Sequence, residues 1–277
     1  MIRFTRAALL VMAFATLALT GCGSTGPGRT PSGKTASKHL DAVGVTRLDV
    51  GSTFVVRVTI GQPEAVTVTY DDNLADLLDV GVENGTLRLQ LQPNANIRNR
   101  PTLRADVTLR RLEEVIVAGL SSVGVTGKVQ GSRLRLEVSG AGRFTADLGV
   151  DQADATVSGT SHLELTGTAG TLKAEGTGTS DLELAALRLH DLDIQLSGAS
   201  HADVQVDRTI AAQLSGACHL TYRGNPQFTK RDTSGASTIQ PAQCISRPTA
   251  TCGFWWGWQA SNLRPGDYES PSRASAA

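Results

Sequence analysis

A short glycine-containing corner recurs at a nearly fixed interval through the second half of the chain. Most copies read Ser-Gly with small residues on either side, and the aligned glycines are Gly140, Gly159, Gly178, Gly198, Gly216 and Gly235. The intervals between them are 19, 19, 20, 18 and 19 residues. A fixed period of this size is typical of stacked repeats, in which no unit can bury its apolar side alone. The period therefore constrains the fold more than any other feature of the sequence.

Apolar and polar residues alternate on both sides of each corner, as they do in half-buried strands. We expect each repeat to hold two short strands and two turns, and stacking should pair every strand with the copies above and below it. The sequence thus predicts an all-β fold, a parallel β-helix with rungs of about 19 residues. The handedness of parallel crossovers makes this a right-handed helix. Glycine suits the corner because it tolerates positive φ and permits close backbone approach.

The strands before the repeats should be irregular. Alternation is strong from residue 46 onward, and the hairpin signal Glu83-Asn84-Gly85-Thr86 lies among these strands. Leucines at helical spacing between Asp71 and Asp79 predict a short helical turn, and Ala118–Ser122 resembles an imperfect first corner. At the other end, the last repeat is polar at its inward positions Thr229, Arg231 and Thr233, as expected for a terminal cap. We place the β-helix domain at residues 41–240.

Residues 1–21 resemble an export signal peptide. Arg3 and Arg6 precede an apolar stretch over residues 7–19 that is short for a membrane span. It ends in Leu19-Thr20-Gly21-Cys22, which resembles the bacterial lipobox, whose cysteine becomes the lipidated N-terminal residue. An ordinary secretory signal with an incidental cysteine is the alternative. We expect Cys22 to carry a lipid that anchors the protein to a membrane without spanning it, followed by a flexible Gly-, Ser-, Thr- and Pro-rich tether over residues 22–40.

Charge and cysteine content exclude some partners. The chain has 26 Lys and Arg against 26 Asp and Glu, so its zero formal charge offers no electrostatic case for nucleic acid. Besides Cys22, the cysteines are Cys218, Cys244 and Cys252; they allow three pairings, among which the sequence does not choose. Neither the spacing of Cys244 and Cys252 nor a nearby histidine pair indicates a zinc site. Cys218 occupies a corner position where other repeats have Ser or Gly, which favours a small residue in a turn.

Polar residues that follow each corner should stack on the outer face. The possible exposed ligand or metal column consists of His162, Asp181, Glu183, His201, Asp203 and His219. Stacked rungs should bring His201 and His219 together, with the three carboxylates nearby. Such a cluster could form a weak metal or proton-sensitive patch. A solvated strand face is the alternative, and we predict no resident metal or cofactor.

Catalytic signatures are absent from the sequence. A polysaccharide-cleaving β-helix needs clustered carboxylates or an acid with a basic partner. Asp181, Glu183, Asp203 and Arg143 could supply them, but surface solvation explains the same residues. No nucleophile elbow, His-Glu-x-x-His motif, dinucleotide fingerprint or phosphate-binding loop occurs. We therefore predict that the protein is not an enzyme.

The succession of motifs resembles the bacterial head GIN domain family. It comprises extended strands, Leu87-Arg88-Leu89, repeated Ser-Gly-Ala-Ser corners and Leu220-Thr221-Tyr222-Arg223-Gly224-Asn225-Pro226, and it covers roughly residues 45–240. The resemblance implies a β-helical surface or periplasmic lipoprotein with an inferred autotransporter-adhesin role and no catalytic residues. We expect a lipid-anchored protein of the cell membrane or outer membrane, facing the periplasm or exterior, that binds a surface glycan or protein. A β-helical polysaccharide-active enzyme and a purely structural envelope component are the alternatives.

Residues 241–277 differ in character from the repeats. All three tryptophans lie in the segment Cys252–Trp258, and residues 260–271 resemble a translation of the antisense strand of a transfer-RNA gene. We expect an irregular or disordered tail produced by a reading frame that runs into a neighbouring gene. A genuine disordered extension and an exposed aromatic anchor are the alternatives.

Overall fold

A computed structural model describes residues 28–242. The predicted signal peptide and lipidation site Cys22, together with Cys244, Cys252 and the predicted tail, lie outside this range. Within it, sixteen strands belong to one sheet, and a 3-10 helix covers Asp72–Leu77. The strands are β1 (Thr35–Asp41), β2 (Arg47–Val50), β3 (Val55–Ile60), β4 (Ala65–Asp71), β5 (Leu78–Glu83), β6 (Thr86–Leu91), β7 (Leu103–Leu109), β8 (Glu114–Val117), β9 (Ser122–Val138), β10 (Arg143–Val157), β11 (His162–Gly176), β12 (Asp181–Gly198), β13 (His201–Gly216), β14 (His219–Arg223), β15 (Gln227–Thr233) and β16 (Thr238–Pro241).

The repeats form a parallel β-solenoid of about seven turns, which confirms the predicted β-helix. Each of β9 to β13 pairs in parallel with the strand one repeat away, and β10 is in register with β11 from Arg143↔His162 to Val157↔Gly176. The expected division into two short strands per repeat is wrong for β9 to β13, because each of these repeats is one long strand that bends. It is confirmed for the last repeat, which is divided into β14 and β15. In β10 the bend lies at Asp151 and Gln152, two consecutive exposed residues where the alternation changes phase. Pairing resumes at once beyond it, so the ladder continues through the bend.

The glycine corners are the joints between successive strands, as predicted. Gly198 has φ of 83°, and a Cβ added to it would lie 2.5 Å from the carbonyl oxygen of Gly178 in the preceding corner. Each corner also donates a hydrogen bond to the one before, for example from Ala199 N to Gly178 O at 2.7 Å. The stack begins at Ser52, whose φ is 64° and whose hydroxyl accepts a hydrogen bond from Leu91 N at 3.1 Å. Only glycine meets both demands of the inner corners, positive φ and no Cβ.

The core is a continuous apolar ladder inside the solenoid. Phe144 is fully buried and stacks in register between Val123 and Leu163, and Leu182 follows on the next strand. Burial of one such side chain contributes about 1.5–3 kcal/mol, so the repeated columns supply the main driving force for folding. Because the long strands β9 to β13 bury one face against the same interior, their other face is left for solvent.

The strands before the repeats combine parallel and antiparallel pairing. β2 and β3 pair in parallel with β8 and β9 and so continue the stack. β5 and β6 form the predicted hairpin, with positive φ at Asn84 and Gly85, and the 3-10 helix confirms the predicted helical turn.

The structured region begins before residue 41. Strand β1 covers residues that the sequence assigned to the tether, and it pairs antiparallel with β4. The buried carboxylate of Asp71 accepts hydrogen bonds from Gly33 N at 2.9 Å and Thr102 N at 2.6 Å. The sequence pattern does not predict β1 because most of its side chains are exposed, and Ala36 and Leu40 are only partly buried.

The last rung is polar and confirms the predicted cap, although its register differs. An irregularity in β15 aligns Phe228 with Ile210, the place expected for Thr229. Arg231 aligns with Ala212, lies over the Phe228 ring at 5.1 Å, and donates a hydrogen bond to Ile239 O at 3.0 Å. A cation stacked on an aromatic ring thus covers this end of the apolar ladder.

Candidate functional site

Two adjacent columns of polar side chains run across β11 to β14, and we call them the imidazole–carboxylate face. The first column contains His162, Asp181, His201 and His219, and the second contains Glu164, Glu183, Asp203 and Thr221. Parallel strands lie about 4.8 Å apart, so the residues of each column lie beside one another. The structure therefore brings together all six residues that the sequence proposed for this surface.

The histidine pair is arranged for stacking. The rings of His201 and His219 lie 5.6 Å apart and are nearly parallel, with an interplanar angle of 15°. His219 Nδ1 bonds to the Thr238 hydroxyl, and its Nε2 lies 2.7 Å from Gln240 Nε2. Both ring nitrogens of His219 are therefore engaged, and parallel rings do not direct their lone pairs at one point. This geometry does not favour metal binding by His201 and His219 together.

A different cluster forms around His162, which is largely buried with 14% of its side chain exposed. Its Nδ1 lies 3.2 Å from Asp181 Oδ2, and its Nε2 lies 3.9 Å from Glu183 Oε2. Single ligand atoms of His162, Glu164 and Glu183 all lie within 4.8 Å of one another. The ligand set proposed from the sequence did not include Glu164. The signal was available, because Glu164 is one repeat away from Glu183.

A groove lies on another face, beside the corners of the last repeats. One wall is an in-register row of Glu175, Gln195, Gln213 and Asp232, and the other is a row of hydroxyls from Thr177, Ser197, Ser215 and Ser234. The groove has a volume of about 400 Å³ and is open to solvent. Sequence reasoning missed it because the corner serines were given a purely structural role.

A row of small polar residues lies inside the corners and is fully bonded. Ser161, Ser180 and Ser200 are buried, and the Ser180 and Ser200 hydroxyls lie 3.0 Å apart. Cys218 continues this row as a buried free thiol, with its Sγ 3.2 Å from Ser215 O. The predicted small residue in a turn is confirmed at Cys218. These hydroxyls and this thiol serve the turn backbone and are closed off from any substrate.

One carboxylate at an outer bend is strongly held in its ionised form. Hydrogen bonds from Arg208 Nε at 2.9 Å and from the Thr209 hydroxyl at 2.6 Å lower the pKa of Asp191 from its usual value to about 2. Arg208 is largely exposed, and this pair links β12 to β13. Its role is to join two rungs.

The fold and its polar surfaces together define the class of protein. It is a parallel β-solenoid that presents in-register rows of polar side chains on its outer surface. Residues 45–226 match the family model described as "Putative auto-transporter adhesin, head GIN domain", and the chain belongs to this family. Among curated proteins, no sequence matches the chain. Within residues 28–242, no helix is long and apolar enough to cross a membrane.

Several solved structures share the fold. A putative adhesin from Bacteroides fragilis NCTC 9343 is 21% identical with a TM-score of 0.73, and the match covers 78% of this chain and 100% of that one. A putative lipid binding protein from Parabacteroides distasonis ATCC 8503 is 17% identical with a TM-score of 0.67 over the same shares. A putative adhesin from that organism is 18% identical with a TM-score of 0.63, again over 78% and 100%.

Proposed function

We propose that the protein is a non-enzymatic, lipid-anchored adhesin of the bacterial cell envelope that binds a surface glycan along the outside of its β-helix. The strongest support is the groove beside Gln195 and Gln213. Each amide there offers two donors and one acceptor, and each neighbouring hydroxyl offers both functions. An extended ligand that follows the solenoid axis meets a similar polar pair on successive rungs. Sugar hydroxyls match such a surface.

The family description and the chemistry of the corners favour binding over catalysis. The matching family model and two of the three solved structures are named as adhesins. The hydroxyls and the thiol of the row inside the corners are buried and bond within the corners, so they are not available as nucleophiles: Ser161, Ser180, Ser200 and Cys218. The exposed carboxylates of the imidazole–carboxylate face pair with histidines and do not line the groove.

Anchoring is assigned to Cys22 on the strength of the lipobox-like Leu19–Cys22 segment. Lipidation there would hold the β-helix near an envelope surface through the few residues that precede Arg29, which already bonds to the domain. A Cys22→Ser variant expressed in the native cell should move from the membrane fraction to the soluble exported fraction. Retention of this variant in the membrane fraction would contradict the lipid anchor.

A glycan panel scored for both retention and cleavage tests the binding role. We expect the purified protein to retain at least one envelope or matrix glycan without cleaving it. The double variant Gln195→Ala/Gln213→Ala should reduce retention at least fivefold, because both amides of the central groove are lost. Gln205→Ala, an amide of β13 outside the groove, is the matched control and should retain the glycan normally.

Three other results would contradict the proposal in different ways. Cleavage that is lost in Asp181→Asn or Asp203→Asn would indicate a polysaccharide-active enzyme. If the purified protein retained an envelope protein but no glycan, the proposed class of ligand would be wrong. Failure to retain either, together with loss of envelope integrity in a deletion strain, would indicate a purely structural component.

A further inference from the structure

We infer that His162, Glu164 and Glu183 bind a divalent transition-metal ion of the zinc type on the imidazole–carboxylate face. This inference does not rest on the adhesin role. One imidazole nitrogen and two carboxylate oxygens form a ligand set that Zn²⁺ accepts, and three protein ligands leave a position for water. The exposure of Glu183, whose side chain is 54% accessible, leaves that position open to solvent.

The orientation of His162 is the first support. Asp181 Oδ2 lies 3.2 Å from Nδ1 and is placed to accept the Nδ1 proton. The tautomer so selected leaves a lone pair on Nε2, the nitrogen that faces Glu183. Metal-binding histidines are commonly oriented in this way, with a carboxylate on the nitrogen that does not bind the metal. The Asp181 contact therefore prepares Nε2 as a ligand.

The distance between His162 Nε2 and Glu183 Oε2 is the second support. At 3.9 Å it is too long for a hydrogen bond. Two ligand atoms that each lie about 2.1 Å from a tetrahedral zinc ion are about 3.4 Å apart. The measured distance is about 0.5 Å longer, so the exposed Glu183 side chain must rotate to place both atoms on one ion. Single ligand atoms of all three residues already lie within 4.8 Å of one another.

Charge around the cluster is the third support. Glu164 and Glu183 are direct neighbours on adjacent strands, where like charges destabilise the pairing. Arg143, the residue next to His162 in the first column, makes no ion pair with either glutamate within the described residues. A bound cation would offset the repulsion between the glutamates.

The matched comparison lies two strands away on the same face. His201 Nε2 lies 3.5 Å from Asp203 Oδ2, so a histidine and a carboxylate also meet there. Its column neighbour His219 is already bonded through both ring nitrogens, and Thr221 follows in place of a third carboxylate. Substitution of His201 or His219 thus changes the same residue type on the same surface without touching the proposed ligands.

Calorimetric titration of the purified, tag-free protein with Zn²⁺ tests the site. We expect one saturable site per chain. His162→Gln should abolish it, Glu164→Gln and Glu183→Gln should each weaken it at least tenfold, and Asp181→Asn should weaken it by about ten- to a hundredfold. His201→Gln, His219→Gln and the double variant Cys244→Ser/Cys252→Ser should bind as the parent does.

Thermal unfolding gives a second readout that separates binding from folding. Saturating Zn²⁺ should raise the melting temperature of the parent and leave that of His162→Gln unchanged, while the metal-free melts show that both are folded. Absence of a saturable site would overturn the inference. So would binding that survives in His162→Gln, or binding lost only in His201→Gln, His219→Gln or the cysteine double variant.

Discussion

The regular rungs β9 to β13 and the strands before them use the same alternation of apolar and polar residues, but their order is fixed by different means. In the rungs, every strand pairs in parallel with its neighbour one repeat away, and stacked glycine corners set the register. In the N-terminal part, β1, β4 and β7 pair antiparallel, and the buried carboxylate of Asp71 joins separate segments. Backbone contacts between glycine corners therefore set the register of the repeats. In the N-terminal part, side-chain hydrogen bonds such as those of Asp71 hold the strands in place.

Among the predictions, substitution of glycine should give the largest difference in lost stability between the rungs and the N-terminal part. Gly198→Ala should destabilise the protein by about 2–4 kcal/mol, because it combines positive φ with a Cβ 2.5 Å from Gly178 O. Gly44→Ala, in the N-terminal part, has φ of 74° but no atom within 4 Å, so it should cost only about 1–2 kcal/mol. Gly131→Ala has neither problem and is the neutral control. Denaturant unfolding measures all three.

Equal losses for Gly198→Ala and Gly44→Ala would contradict the steric role of the stack. A loss in Gly131→Ala as large as in Gly198→Ala would show that the corner is no more sensitive than the rest of the rung. Either result would remove the distinction between the two regions.

Removal of the buried carboxylate should affect the N-terminal part alone. Asp71→Ala leaves Gly33 N and Thr102 N without their acceptor, so the free energy of unfolding should fall by about 1–3 kcal/mol. Hydrogen exchange should speed up in β1 while β11 keeps its protection. Asp79→Ala, which removes a carboxylate half-exposed to solvent, is the control. Unchanged exchange in β1 would mean that Asp71 does not hold this strand.

Acid should slightly weaken the ion pair between Arg208 and Asp191, which links β12 to β13. The pKa of Asp191 is lowered to about 2 by Arg208 and Thr209, below its unfolded value, so this carboxylate stabilises the fold above about pH 4. The contribution is lost as the pH falls through about 2. Because Arg208 is exposed, we expect only about 0.2–1 kcal/mol. The difference in melting temperature between the parent and Asp191→Asn should be present at pH 6, fall through about pH 2 and vanish only below it.

Asp76→Asn provides the corresponding measurement in the N-terminal part, where a hydrogen bond from Arg29 lowers the pKa of Asp76. Its effect should also disappear in acid, and it should leave the exchange of β12 and β13 amides unchanged. Persistence of the full Asp191→Asn difference well below pH 2 would show that the carboxylate acts through something other than its charge.

The sequence predicts the repeats well because one geometric demand recurs on every rung. Positive φ and close approach at Gly159 and Gly198 leave a visible period, and that period fixes which side chains stack on the outer face. The imidazole–carboxylate face follows from it by simple alignment. The choice of His162 over His201 as the centre of a cluster depends on side-chain rotation and on the bonds of the neighbouring His219 to Thr238 and Gln240, which no spacing reveals.

The features that the sequence does not predict are those without a clear pattern of apolar residues. Strand β1 has mostly exposed side chains, and its attachment depends on Asp71, a residue distant in sequence. The bend at Asp151 and Gln152 keeps the ladder intact, so only a change of phase marks it. In β15 one additional residue moves Phe228 into the place expected for Thr229. Such shifts follow from packing against the preceding rung.

Disulfide trapping tests the rung register most directly. In a background with Cys22, Cys244 and Cys252 replaced by Ser, Thr156→Cys/Glu175→Cys places two thiols on in-register neighbours of β10 and β11. Thr156→Cys/Gln195→Cys places them two rungs apart, beyond the reach of a disulfide. Mild oxidation followed by mass spectrometry should show an intramolecular disulfide in the first variant and free thiols in the second. A disulfide in the second variant, or its absence from a folded first variant, would contradict the in-register stacking of rungs that forms both candidate surfaces.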